Sequence, residues 1–260
     1  INLKKKIYIE STFLILLGSF SSLSLPPFNH IIINFVTFSL FYILLIRISS
    51  VSNNKKIFFL YGWLFGFGYF VSSLYWISLS LTYDDNFKFL IPFAVILVPA
   101  FLALFYGIVS FLFIIFKPKK NLSSFFLFSL IFGVIEFLRG SVFTGFPWNL
   151  IVYSFSHHIE ILNITSIIGT YSFNVFCISL FTSPSIFIFR NDKKEIFIPI
   201  FFFIITLTFY VYGSQKLEKF NDLKAYKHDY KIRVISSKIS INRFYDDIEP
   251  VSVIEDLIKI

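Results

Sequence analysis

Methionine does not occur in this chain, cysteine occurs once, and charged side chains make up only 15% of its 260 residues. Each scarcity excludes something. A single cysteine cannot form an internal disulfide, and Cys177 lies inside an apolar run, where it reads as a small buried residue. His157 and His158 are adjacent, so on a helix they point different ways, and no cysteine or carboxylate completes a metal set. They suit a surface or lipid-headgroup position, and no metal or other cofactor is expected. Asp84 and Asp85 read as a solvated loop, because acid–base catalysis would need a partner that the neighbouring sequence does not offer. There is no glycine-rich phosphate loop and no serine-centred nucleophile motif. Residues 1–260 therefore contain no convincing catalytic set. The lack of a methionine at position 1 fits a fragment or a start that lies upstream.

What is abundant is apolar. Hydrophobic residues reach 56%, phenylalanine alone numbers 39, and mean hydropathy is +0.77. A soluble domain averages about 25% charged residues and carries no repeated apolar runs of ~20. Several such runs occur here, so the chain reads as a multi-pass membrane protein. The net charge of +8 does not point to nucleic acid, because the lysines and arginines sit in short clusters between apolar runs.

Seven spans are expected: Ile7–Leu25, Ile31–Ile48, Ile57–Leu81, Phe89–Phe116, Leu122–Phe143, Ile159–Phe189 and Ile196–Tyr212. The fourth and sixth exceed what ~30 Å of hydrocarbon requires, so tilt or kinks are expected at Pro92, Pro99 and Pro184. The first span, behind Lys4, Lys5 and Lys6, also resembles a signal peptide, but "SLSLPPFN" is a poor cleavage site and another span follows at once. An uncleaved helix is the better reading. Alternate connections carry Lys4–Lys6, Arg47, Lys55, Lys56, Lys117, Lys119, Lys120, Arg190, Lys193 and Lys194 on one side, against Lys88 and Arg139 on the other. That bias places the N-terminus in the cytoplasm and everything after Tyr212 outside.

After Tyr212 the composition changes. Residues 214–229 are polar and read as a linker or surface helix. "KIRVISSKISI" (231–241) alternates and is rich in β-branched residues, like the first strand of a soluble domain. "EPVSVIEDLIKI" follows with helical spacing from Pro250. One strand and one helix cannot bury a core, so 230–260 reads as the opening of a truncated domain.

Two stretches stand out. In "EFLRGSVFTGFPWN" (136–149), Glu136 and Arg139 are one helical turn apart, so both project from one face. Two readings stay open on the residues alone. One is a polar floor under an outward-facing cavity, with Arg139 available to a lipid phosphate. The other is a structural ion pair locking helices together. Gly145 and Pro147 then stop the helix, with Phe146 and Trp148 at interface depth, either as a simple anchor or as a re-entrant loop lining a cavity. "GWLFGFGYFVSSLYW" spaces Gly62, Gly66 and Gly68 for close helix packing and ends in Trp76, a belt residue or a cavity wall.

These stretches resemble apolipoprotein N-acyltransferases of bacterial inner membranes. That family shows a glycine-rich third span ending in a Trp, as in "GFGYFVSSLYWISLSL", and a motif of the form EFLRGxxxTGFPW, which Glu136–Trp148 matches. Pro27-Phe28 after the first span fits as well. The resemblance implies an all-α multi-pass bundle of about seven transmembrane helices (1–213), a linker (214–229), and from 230 the first strand and helix of an α/β nitrilase-like periplasmic domain. It also implies transfer of an acyl chain from a phospholipid donor to the N-terminal diacylglyceryl-cysteine of an apolipoprotein. The family's chemistry uses a Glu-Lys-Cys triad and a thioester acyl-enzyme. That triad is expected beyond Ile260, so the fragment alone is expected to be inactive, and Cys177 is not the nucleophile. Where the family's first nitrilase strand often ends in Gln, this chain has Ser236. Glu136, Arg139, Phe146, Trp148 and Trp76 are expected to line an outward-facing, lipid-accessible cavity beneath the active site. The rivals are a lipid-binding or transport protein, for which inverted repeats are not seen, and a short, catalytically dead homologue.

Overall fold

The computed structural model describes residues 3–116, 119, 122–143, 145–190 and 192–222. In chain order the described helices are α1 (Leu3–Ser22), α2 (Ile32–Ser49), α3 (Lys55–Leu74), α4 (Ile91–Ile115), α5 (Leu122–Ser141), α6 (Ile159–Leu162), α7 (Thr165–Ile168), α8 (Thr170–Thr182), α9 (Ile186–Phe189) and α10 (Phe197–Asp222). No strand occurs among the described residues. A helix satisfies its own backbone hydrogen bonds, which lipid cannot do, so an apolar chain of this kind folds as helices. Several hydroxyls inside the spans follow suit: Ser129, Ser179 and Thr206 each donate to the carbonyl four residues earlier.

Six segments among the described residues are long and apolar enough to cross a membrane: α2, Lys55–Thr82, Asp85–Ile115, α5, Thr170–Phe189 and Lys193–Asp222. The first expected span, α1, is not one of them, since Lys4–Lys6 and Glu10 lie in its opening turns. It nonetheless lies along α3 over most of its length.

The sixth expected span does not form as one helix. Ile159–Ile168 makes two short helices, and Gly169, at φ 79°, turns the chain before α8 begins. That φ lies in the left-handed region where glycine carries no steric cost. The prolines act unequally. Pro184 sits in a 3-10 turn between α8 and α9, whereas Pro92 occupies the first turn of α4, where no helical N–H is needed. Pro99 lies within α4 without ending it. The third span narrows from α3 into a 3-10 segment, Tyr75–Thr82. The expected strand at 231–241 and the helix from Pro250 lie outside the described residues, while α10 runs unbroken through Gly213 to Asp222.

α3 is the hub, and small residues let its neighbours close on it. A Cβ at Gly68 would stand 2.0 Å from the Ile15 carbonyl oxygen of α1, and one at Gly62 would stand 2.2 Å from the Tyr106 carbonyl oxygen of α4. Gly18 on α1 meets the Phe65 carbonyl in the same way, at 1.9 Å. The spacing of Gly62, Gly66 and Gly68 thus does what the sequence suggests. Around them an aromatic core forms: Phe41 stacks on Phe65 at 4.2 Å, and Tyr106 meets Phe132 edge-on at 4.7 Å. About half or more of the apolar stretches of α2, α3, α5 and α8 are buried, against 22% for the span ending in α4 and 11% for that of α10. These two are the peripheral helices, and their exposed Phe, Ile and Leu side chains face outward, where lipid would be.

Candidate functional site

α5 ends at Ser141, and its last turns set up everything that follows. Val142 donates to the Leu138 carbonyl, Phe146 N–H returns to the Arg139 carbonyl at 2.9 Å, and Gly145 takes φ 74° to make the return. A Cβ at Gly145 would stand 2.5 Å from the Gly140 carbonyl oxygen, so the turn needs glycine for space as well as for φ. Asn149 adopts φ 55° before a 3-10 turn at Ile151–Phe155. The chain therefore folds back across the helix ends after Gly145 instead of leaving the bundle.

Glu136 and Arg139 are both wholly buried. The guanidinium bonds both carboxylate oxygens of Glu136, through Nε at 3.1 Å and Nη2 at 3.2 Å. Its Nη1 donates to two backbone carbonyls of the returning segment, Phe146 at 2.7 Å and Trp148 at 2.9 Å. The charged carbon also lies 5.2 Å from the centre of the Phe70 ring. A planar, forked cation suits this task because it can hold a carboxylate with one edge and carbonyls with another.

The returning segment is held at further points. The Tyr69 hydroxyl donates to the Asn149 carbonyl at 3.0 Å, and Asn149 Nδ2 donates to the Ser73 carbonyl at 3.2 Å. Val152 N–H donates to Asn174 Oδ1 at 2.9 Å. Asn34 Nδ2 reaches Ser154 Oγ at 2.9 Å and Ser24 Oγ at 2.8 Å, while its Oδ1 accepts from Ser21. Tyr69, Asn149, Asn34, Asn174 and Ser154 escaped the sequence reading. The available signal was weak: Asn34 and Asn174 are amides within otherwise apolar helices, a costly placement that marks a buried partner.

Two cavities flank this segment. The first, of about 320 Å³, is almost wholly apolar, with Leu97, Phe101 and Phe105 from one face of α4 opposite Phe143 and Phe146, and Arg139 at one edge. The second, of about 440 Å³, lies among Pro27, Ser73, Trp76, Trp148, Tyr153 and Ser156. Aromatic contacts join the two linings: Phe146, in the first, lies 5.7 Å from Trp148, in the second, which stacks on Trp76 at 5.1 Å and 23°. The Trp76 indole N–H is fixed on the Ser73 carbonyl at 3.0 Å. Burial, with Tyr171 close by, holds the Tyr153 phenol above its ordinary range, so it stays neutral and protonated.

The five residues singled out from the sequence are thus neighbours with different places. Phe146 and Arg139 border the first cavity, and Trp76 and Trp148 border the second. Glu136 borders neither and lies behind Arg139. His157 and His158 are elsewhere on the loop, 5.9 Å apart, and no metal-binding group of side chains occurs among the described residues. Asp84 caps a turn through the Asn86 N–H, Asp85 pairs with Lys88 at the surface, and Cys177 is fully buried in α8.

Residues 17–182 match the family model for the apolipoprotein N-acyltransferase N-terminal domain, a stretch that includes both cavities and the Glu136–Arg139 pair with the carbonyls it holds. The chain belongs to the apolipoprotein N-acyltransferase family. It is similar to the apolipoprotein N-acyltransferase of Rhizobium rhizogenes, with 35% identity over 179 residues, covering 66% of this chain and 33% of that protein. It shares 31% identity over 210 residues with the apolipoprotein N-acyltransferase of Rhodopseudomonas palustris, covering 78% and 39%. With that of Rickettsia bellii the identity is 36% over 169 residues, covering 63% and 33%. The chain thus spans only about a third of the length of these curated relatives.

Proposed function

We propose that this chain is the membrane part of an apolipoprotein N-acyltransferase and that the break at Gly145–Trp148 presents lipid to the acyl chemistry. In this reading α1 joins the six longer spans as a seventh, the N-terminus is cytoplasmic, and the segment after α10 opens a nitrilase-like domain on the periplasmic side of a bacterial inner membrane. Phospholipid would donate the acyl chain and a diacylated apolipoprotein would accept it, with a Glu-Lys-Cys triad beyond Ile260 carrying the transfer.

One observation carries the proposal: a buried arginine holds an aromatic wall between two cavities at the end of a family-matched helix. Arg139 does this from the inside, with Nε, Nη1 and Nη2 all committed to Glu136 and to the Phe146 and Trp148 carbonyls. That geometry favours Arg139 as the support of the cavity wall over Arg139 as a direct ligand for phosphate. Cys177 offers no rival nucleophile, being sealed within α8. The test is Arg139→Ala in the longer protein, assayed for acyl-enzyme formation from phospholipid. Displacement of the wall is expected to lower it on the order of 10²-fold. If acyl donation and thermal stability both stayed unchanged, the cavity role would be lost.

A further inference from the structure

Tyr153 borders the second cavity, yet the groups that fix the chain around it come from helices that border neither cavity. Two buried amides bracket it. On the residue before, the Val152 N–H donates to Asn174 Oδ1 of α8 at 2.9 Å. On the residue after, Asn34 Nδ2 of α2 donates to Ser154 Oγ, also at 2.9 Å. Asn34, Asn174, Val152 and Ser154 are all buried. The Asn34 end is directed throughout. Its second N–H goes to Ser24 Oγ at 2.8 Å, and Ser24 gives its own hydrogen to the Ser21 carbonyl at 2.8 Å. The 3.0 Å contact between the Ser24 and Ser154 hydroxyls is therefore donated by Ser154. Turning Ser154 away would break two bonds at once. At the other end only the oxygen of Asn174 is engaged, since its Nδ2 has no partner among the described residues.

Buried amides are a costly way to fill space. Leucine at 34 or 174 would occupy a similar volume without desolvating an amide, but it offers nothing that selects where residues 152 and 154 come to rest. A buried hydrogen-bond network does select, because any other arrangement strands a polar group. We infer that Asn34 and Asn174 are positioning residues for the acyl transfer proposed above. Acting through Ser154 and the Val152 N–H, they set the register of the returning segment, and with it the place of the Tyr153 side chain on the margin it shares with Trp148. The link to acyl transfer rests on the proposed function, whereas the register rests on the hydrogen bonds alone.

Ser154→Ala removes the acceptor for Asn34 with the least disturbance, and Asn34→Leu and Asn174→Leu remove the amides. In the longer protein each is expected to lower kcat at saturating phospholipid by roughly tenfold to 10²-fold with KM little changed, the effect of a small misplacement at a reacting site. Asn174→Asp keeps the oxygen that Val152 needs and is expected to restore most of what Asn174→Leu loses. Space filling alone predicts the reverse order, because a carboxyl is costlier to bury than a leucine. The double variant Asn34→Leu, Ser154→Ala is expected to be no worse than its poorer single, since the two act as one unit. The chain has three tryptophans, and Trp63→Phe leaves Trp76 and Trp148 as emitters beside the cavity. In the chain purified in detergent, Ser154→Ala on that background is expected to raise acrylamide quenching, as Tyr153 leaves its place. Unchanged kcat in Ser154→Ala overturns the inference, as does Asn174→Asp no more active than a folded Asn174→Leu. Ser154→Ala decides the matter even where the leucine variants fail to fold. Raised quenching with no acyl transfer by the unmodified longer protein would sink the function and leave the register standing. Transfer intact in the longer protein and in every variant would do the reverse.

Discussion

Arg139 and Glu136 show how a charged pair can be stable at the end of a membrane helix. Desolvating both ions is costly, and the cost is offset only because all three guanidinium nitrogens meet acceptors. Removing one partner should therefore hurt more than removing both. Glu136→Gln leaves the cation buried opposite a neutral amide, and a loss of about 3–5 kcal/mol is expected. The double variant Glu136→Gln, Arg139→Met is expected to recover part of that loss, while still releasing the carbonyls of Phe146 and Trp148. Thermal unfolding in detergent checks both, and a double variant no more stable than Glu136→Gln would refute the pairing argument. Arg139→Lys tests the fork itself. An ammonium cannot hold the Glu136 carboxylate and both loop carbonyls in the same plane, so Trp emission beside the wall should shift even where folding is retained.

At the scale of elements, close approach does the organising. Without side chains at Gly18 and Gly68, α1 and α3 touch backbone to backbone, and neither carbonyl can move aside without unwinding a turn. Gly68→Leu is expected to cost roughly 1–3 kcal/mol or more and to loosen α1 first. Faster amide exchange in α1 than in α5 would check this, and uniform loosening would contradict it. α10 is held differently. Its buried residues are Phe202, packed on Phe125 and Phe176, and Gly213, where a Cβ would stand 1.7 Å from the Glu160 carbonyl oxygen of α6. Gly213→Ala should lift the C-terminal end of α10 off α6, read as faster exchange across Gly213–Asp222 with Phe197–Tyr212 little changed.

At the scale of the whole molecule, the proposed orientation follows from where cations sit. Cys177 is buried, so a membrane-impermeant maleimide should not label the unmodified chain in intact cells. Asp85→Cys, on an exposed turn, should label from the outside, and Lys194→Cys only after permeabilisation. The opposite pattern would invert the topology. The same scale shows what each helix contributes. α2, α3, α5 and α8 form the interior, and α4 and α10 present their flanks to lipid. The first cavity lies on the α4 flank, against Leu97, Phe101 and Phe105.

Much of this was legible in the residues alone. The apolar runs announced a membrane bundle, the Glu136–Trp148 stretch announced the family, and the glycines of α3 announced close packing. Those features are local, encoded by composition or by spacing within one helix. Sequence also placed the break after α5, because Gly145 has the backbone freedom the turn requires. It overestimated the sixth span, since an apolar run does not reveal a Gly169 turn. What only the tertiary structure decided was the partnership across distance. Arg139 answers two backbone carbonyls, which have no side-chain signature, and Asn34 answers Ser154, 120 residues away. Periodicity cannot register either, because the acceptor is defined by where the chain returns and not by which residue is there. The charged pair that looked out of place in an apolar helix is settled by that return, and so is the place of the Phe146, Trp148 and Trp76 rings that line the two cavities.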